Sequence, residues 1–127
     1  MTTAEALARF RDFYDTFGEA WLPRLEEIYA PGFYVEDPFK KFDGDFGELR
    51  AYFTRVTKLK DSKFVVEDIA SGSDGHYVRW TWTWKRAVPG VTHLRLDREG
   101  RVTYQRDIFD VVDSLPVLGR VIRAIKR

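Results

Sequence analysis

Apolar positions recur at two different periods along this chain, and the change from one to the other comes near Ser62. Before it the spacing is helical. Thr2 and Glu5 have the separation of a capping box, and Leu7, Phe10, Tyr14 and Phe17 follow at steps of three and four, with Gly18 as the stop. Leu22, Leu25 and Ile28 predict a second, short helix from Trp21 to Tyr29, ended by Pro31 and Gly32. Asp45 and Glu48 repeat the capping pattern ahead of Phe46, Leu49, Tyr52, Phe53 and Val56, a third helix. Between the second and third helices, Phe33 to Asp37 alternates as a strand that turns at the Asp43-Gly44-Asp45 stretch. Beyond Ser62 the period falls to two. KFVVEDIA, HYVRWTWTWKR, VTHLRLD and RVTYQRDIFDVV predict four strands, separated by the turn-forming stretches SGSDG, VPG and DREG. Leu118, Val121, Ile122 and Ile125 return to helical spacing, with Arg120, Arg123, Lys126 and Arg127 mostly on the opposite side. The order is helix, helix, strand, helix and then a four-strand meander, an α+β pattern.

Composition narrows the function classes. At 127 residues the chain is long enough for one core, and it is read as a single domain over residues 1–127. Its 44% hydrophobic and 16% aromatic content suits a bulky globular core. The 21 lysines and arginines nearly cancel the 20 aspartates and glutamates, so no basic excess points to nucleic acid. With no cysteine there is no disulfide framework and no thiolate site; with two histidines and neither HxxxH nor HxH spacing, no metal site is expected. No apolar run approaches the ~20 residues that span a bilayer. The N-terminal MTTAEALARFRDF is too charged for a secretory leader, so a cytoplasmic location is expected. The basic terminal segment is short for membrane contact, and folding back over the sheet or a pocket mouth is the simpler expectation.

Two carboxylates stand out. Alternation puts Asp37 on the face of its strand shared by Phe33 and Val35, so it points toward the core immediately before Pro38. An ionised carboxylate buried without partners is costly, so this one needs a reason. One reason is chemistry: a desolvated carboxylate gains basicity and becomes a proton acceptor near neutral pH. The other is architecture, with Asp37 accepting backbone N–H bonds that fix the Pro38 turn. In the last strand Gln105, Asp107 and Phe109 share one face, while Tyr104, Arg106 and Ile108 share the other. Asp107 and Gln105 then become polar groups in an apolar wall, the usual make-up of a small-molecule pocket. For Asp107, a salt bridge with Arg106, Arg79 or Arg123, or plain solvation near the strand end, is the competing reading. Trp80, Trp82 and Trp84 share one face of their strand as core, pocket wall or cation cage. His93 is expected to face outward or toward an interface, and His76 to be a solvated turn residue.

The element order, YAPGFYVEDP ahead of a helix, LRLDREGRV and RDIFD together resemble the nuclear-transport-factor-2-like superfamily, in its SnoaL-like and ketosteroid-isomerase-like branch. The resemblance covers nearly the whole chain. It implies a cone-shaped, curved antiparallel sheet wrapped around the N-terminal helices, an apolar pocket for a small hydrophobic molecule, no cofactor, and a homodimer through the outer sheet face. In the isomerases the aspartate of a similar EDP stretch is the general base, which assigns that role to Asp37. Ketosteroid isomerase is itself a standard case of a pocket carboxylate tuned for proton transfer. The aspartate of the cyclase and epoxide-hydrolase members falls on Asp107. The isomerase tyrosine falls on Phe13 without gaps, or on Tyr14 after one insertion, and the second isomerase donor falls on Thr92. The expected site therefore comprises Asp37 and Asp107 as acid and base, with Tyr14, Phe33, Val35, Trp82, Gln105 and Phe109 around the pocket. The alternative is a module that binds a small molecule or a partner through the same features without chemistry.

Overall fold

The computed structural model describes residues 1–109; the expected basic amphipathic helix after Leu115 lies outside them. Helix α1 (Thr3–Asp15) starts as its sequence dictates, with Thr2 and Glu5 exchanging the two bonds of a capping box. A 3-10 turn (Glu19–Arg24) and the single α-helical turn α2 (Leu25–Ile28) replace the continuous helix expected from Trp21 to Tyr29. Pro23 lies inside this segment and has no N–H to give, which suits a short broken helix. Strand β1 (Tyr29–Glu36) begins at once, pairs with a short unforeseen strand β2 (Lys41–Asp43), and α3 (Phe46–Thr57) follows with Asp45 as its cap. The meander β3 (Lys63–Gly72), β4 (Gly75–Trp84), β5 (Arg86–Leu96) and β6 (Val102–Phe109) completes the described chain.

The six strands form one open sheet in the order β2-β1-β6-β5-β4-β3. All neighbours run antiparallel except β1 and β6, which are parallel, so the sheet is mixed. Apolar side chains from its inner face meet the helices: Phe10, Phe13, Leu25, Ile28, Phe33, Leu49, Val78, Trp80 and Leu94 are all fully buried in one cluster. Phe13 packs edge-on against Phe10, Phe17, Trp21 and Tyr29, which locks α1 into the curve.

One turn assignment changes. The VPG stretch is not a turn: Val88, Pro89 and Gly90 lie inside β5, and the β4–β5 reversal falls at Lys85, with a φ of 66°. Gly90 has a packing reason instead. It faces Trp80 across the ladder, and a Cβ there would lie 2.3 Å from the indole ring. Pro89 pairs with Thr81 of β4, one position beyond the last β5–β6 pair of the described residues.

Candidate functional site

Helices α1 and α3, strands β3, β4 and β6 and the segments after α1, β1 and α3 line a half-open cavity of about 70 Å³. That is room for several water-sized groups. Tyr14 of α1 and Phe17 just after it form one side; Tyr52, Phe53 and Val56 of α3, with Leu59, form another. Phe64 of β3, Trp80 and Trp82 of β4 and Phe109 of β6 make up the sheet wall, and Phe39 lies beyond β1. Into this aromatic enclosure project Asp37 and Asp107.

Their juxtaposition follows from the parallel pair. The register places Val35 beside Gln105 and Glu36 beside Arg106. Continuing it by one residue brings Asp37 alongside Asp107. Alternation then turns both inward, because Val35 and Gln105 already face the core. A slip of one residue in either strand would send a carboxylate to the outer face.

Both carboxylates are held in the same way. Asp37 Oδ1 accepts the backbone N–H groups of Phe39, at 2.7 Å, and Lys40, at 2.9 Å, while its Oδ2 accepts the Tyr52 hydroxyl. Asp107 Oδ1 accepts the Thr92 hydroxyl at 2.7 Å and Gln105 Nε2 at 3.1 Å, while its Oδ2 accepts the Tyr14 hydroxyl at 2.6 Å. In each case one oxygen carries two donors and the other is capped by a tyrosine. The donors are themselves oriented. Trp80 Nε1 donates to Thr92 Oγ1 at 2.8 Å, so the hydroxyl proton is directed at Asp107. The buried Tyr29 hydroxyl donates to Gln105 Oε1 at 2.7 Å, which turns the amide nitrogen toward Asp107 and toward the Tyr14 oxygen, 2.9 Å away.

Burial and these bonds act in opposite directions. Desolvation raises Asp107 and the nearby charge of Asp37 adds to it; donation by Tyr14, Thr92 and Gln105 opposes it, and the carboxyl ends at about 6. Asp37 is also raised by burial, against the Tyr52 hydroxyl and the two backbone N–H groups. Burial also raises the Tyr14 hydroxyl well above the ordinary phenol range, so it remains a proton-bearing donor.

Of the residues expected at the pocket, Asp37, Asp107, Tyr14, Trp82 and Phe109 are on the cavity wall. Phe33, Val35 and Gln105 are not: they are buried in the core. Phe33 packs on Tyr29 and Phe46, away from the carboxylates. Gln105 acts behind the wall, through its bonds to Tyr14 and Asp107. Between the adjacent aromatics of α1, Tyr14 reaches the cavity and Phe13 is core. Asp107 takes its bonds from hydroxyls and an amide, and none of the ion pairs of the described residues includes it. Trp84 stacks on Trp82. On the outer face His93 stacks on Tyr77, and His76, expected in a turn, lies instead in β4 opposite Ser71 of β3, whose hydroxyl is 2.7 Å from its ring nitrogen. Among the described residues no group of three or more His, Cys, Asp and Glu could hold a metal ion. The sequence reading missed Tyr52, a tyrosine on the apolar face of α3 whose hydroxyl needed a buried partner, and Tyr29, which it placed at a helix end.

Among curated proteins nothing matches the chain significantly. Solved structures do. A nuclear-transport-factor-2-like protein of unknown function from Cytophaga hutchinsonii superposes with a TM-score of 0.70 at 14% identity, over 93% of this chain and 96% of that one. A steroid delta-isomerase from Pseudomonas aeruginosa gives 0.72 at 17% identity, over 94% and 87%. A de novo designed protein with a curved β-sheet gives 0.74 at 13% identity, over 97% and 98%. At such identities the likeness establishes the fold alone, and a designed sequence among the matches shows how far that fold stands apart from any one activity. The model of the SnoaL-like domain family matches residues 10–105, and the chain belongs to that family.

Proposed function

We propose that the cavity supports cofactor-independent proton transfer on a small, largely apolar molecule, with Asp37 as base and Asp107 as acid. The observation that carries this reading is the pair of carboxylates on one aromatic wall, each capped by a tyrosine, Asp37 otherwise held by backbone N–H groups and Asp107 by side-chain donors. Asp107 at about 6 keeps its proton further toward neutral pH. Asp37 is also raised by burial, and the Tyr52 hydroxyl and two backbone N–H groups oppose that rise by favouring its charged form. Two carboxyl groups whose surroundings separate their proton affinities can divide acid and base roles. In such a step Asp37 removes a proton from the substrate while Asp107 delivers one to an oxygen of it. Isomerisation, cyclisation, dehydration and epoxide opening all fit that exchange.

The test is a panel of enones, epoxides and polyketide-like carbonyl compounds, followed by Asp37→Asn on any that react. A catalytic Asp37 predicts loss of turnover by roughly 10²–10⁴-fold with the fold and ligand binding retained. If the wild type turns over nothing and Asp37→Asn alters only the melting temperature, Asp37 serves the Pro38 turn and the reading fails.

A second reading, a module that binds without chemistry, is favoured by one observation. The Tyr14 and Tyr52 hydroxyls are both committed to carboxylates, so neither is free to stabilise an oxyanion. Binding of a panel compound without turnover would select it.

A further inference from the structure

The hydrogen-bonding character of the cavity wall is one-sided. Among the described residues, every side-chain N–H and phenol donor on the wall is already committed to the protein. The Tyr14 and Tyr52 hydroxyls donate to the two aspartates, Trp80 Nε1 donates to Thr92 Oγ1, and Trp82 Nε1 donates to Ser62 Oγ at 2.7 Å. What faces the enclosed space is acceptor capacity on two carboxylates, one lone pair left on each tyrosine-capped oxygen, surrounded by π faces. Among the described residues the wall contains no lysine, arginine or histidine. A ligand that brings negative charge, such as a carboxylate or phosphate, would meet like charge, and a donor only where Asp107 holds its proton. A ligand that brings N–H donors and positive charge would meet two carboxylates and the negative faces of aromatic rings.

We propose that the cavity selects a small organic cation: a protonated amine on an apolar or aromatic body. This rests on the cavity being the ligand site, as proposed above, and not on its turning anything over. The ammonium would lie between Asp37 and Asp107, taking their remaining lone pairs, while Phe109 and the neighbouring indoles surround the body. The charge balance agrees. Two carboxylates against one aromatic enclosure leave an excess of negative charge that a monovalent cation reduces. Binding should also weaken as the pH falls through about 6, where Asp107 takes up a proton and becomes a donor itself.

Isothermal titration with three probes of one shape tests the idea: benzylamine, benzyl alcohol and benzoate, at pH 7.5 and again at pH 5. The expected result is benzylammonium bound at least about tenfold more tightly than benzyl alcohol. Benzoate should not bind, and the preference should shrink at pH 5. Asp107→Asn should reduce the preference. Because that change could disturb the fold, Phe109→Leu is the companion variant. It leaves both carboxylates and removes one π face, and it should lower amine affinity more than alcohol affinity. Equal or tighter binding of benzyl alcohol, any binding of benzoate, failure of all three to bind, or a preference unchanged in both variants would overturn the proposal. Its failure is separable from that of the catalytic reading. Turnover of a neutral carbonyl compound that benzylamine does not inhibit sinks the cation site alone, whereas amine binding with no turnover in the panel sinks only the catalysis.

Discussion

Asp107 couples the cavity to the stability of the molecule. An ordinary aspartate has its pKa near 3.8, and in the folded chain Asp107 is pushed up to about 6. Between those values the folded state holds a proton that the unfolded state has released, so raising the pH through the interval removes stability. The contribution is complete below about pH 4 and gone above about pH 6. It amounts to about 3 kcal/mol at 1.36 kcal/mol per pH unit. Asp37, also raised, acts with the same sign. Exposed Glu26 and Glu27, lowered by their arginine partners, act oppositely but are screened at the surface. Urea melts at pH 4.5, 5.5 and 7.5 should therefore show stability falling with pH, and Asp107→Asn should flatten the slope. Tyr14→Phe removes a bond that favours the charged form, so it should move the transition to higher pH; a slope unchanged in both variants would mean that Asp107 is not the group responsible. At this scale much was legible. Alternation is a local signal, and it turned both aspartates inward. Tyr52 was not legible, because on an apolar helix face a tyrosine reads as bulk and its partner lies 15 positions away.

Among elements, β5 shows how a residue can signal the wrong feature. Its glycine and proline read as a turn, yet Gly90 is small because Trp80 lies across it. Gly90→Ala should therefore push that indole toward the cavity and destabilise the fold by about 1–3 kcal/mol, the scale of an overpacked core. Thermal melts would show the loss and a change in tryptophan fluorescence should accompany it; a neutral effect would mean that Trp80 has room to move. The helices with side-chain caps, α1 and α3, were readable because the cap and apolar spacing agree within a few residues. Strand β2 spans only Lys41–Asp43, too short for alternation to register. The parallel β1–β6 pair had no local signal at all: its partners lie on either side of α3 and four strands, and only the assembled sheet joins them.

For the whole molecule, the outer sheet face remains to be explained. Val65, Tyr77 and Ile108 are exposed there, among ion pairs such as Arg79 with Glu67 and Arg106 with Glu36. Apolar groups mixed with charge suit an interface between two copies, and light scattering at micromolar concentration should give the mass of a homodimer; monomer mass alone would count against it. The joining of β1 to β6 has a kinetic consequence as well. Each residue of β1 pairs with one 70 positions later in the stretch from Tyr34 to Glu36. Closing so long a loop is entropically expensive, whereas the β3–β4, β4–β5 and β5–β6 hairpins form between neighbours in sequence. The meander can therefore assemble while β1 is still unattached, and such an intermediate has Asp107 without Asp37 beside it. In stopped-flow refolding, tryptophan burial in the meander should precede the ability to bind a cavity ligand, which appears only with the slowest phase. Competence appearing together with the first burial would mean that the two distant strands meet early.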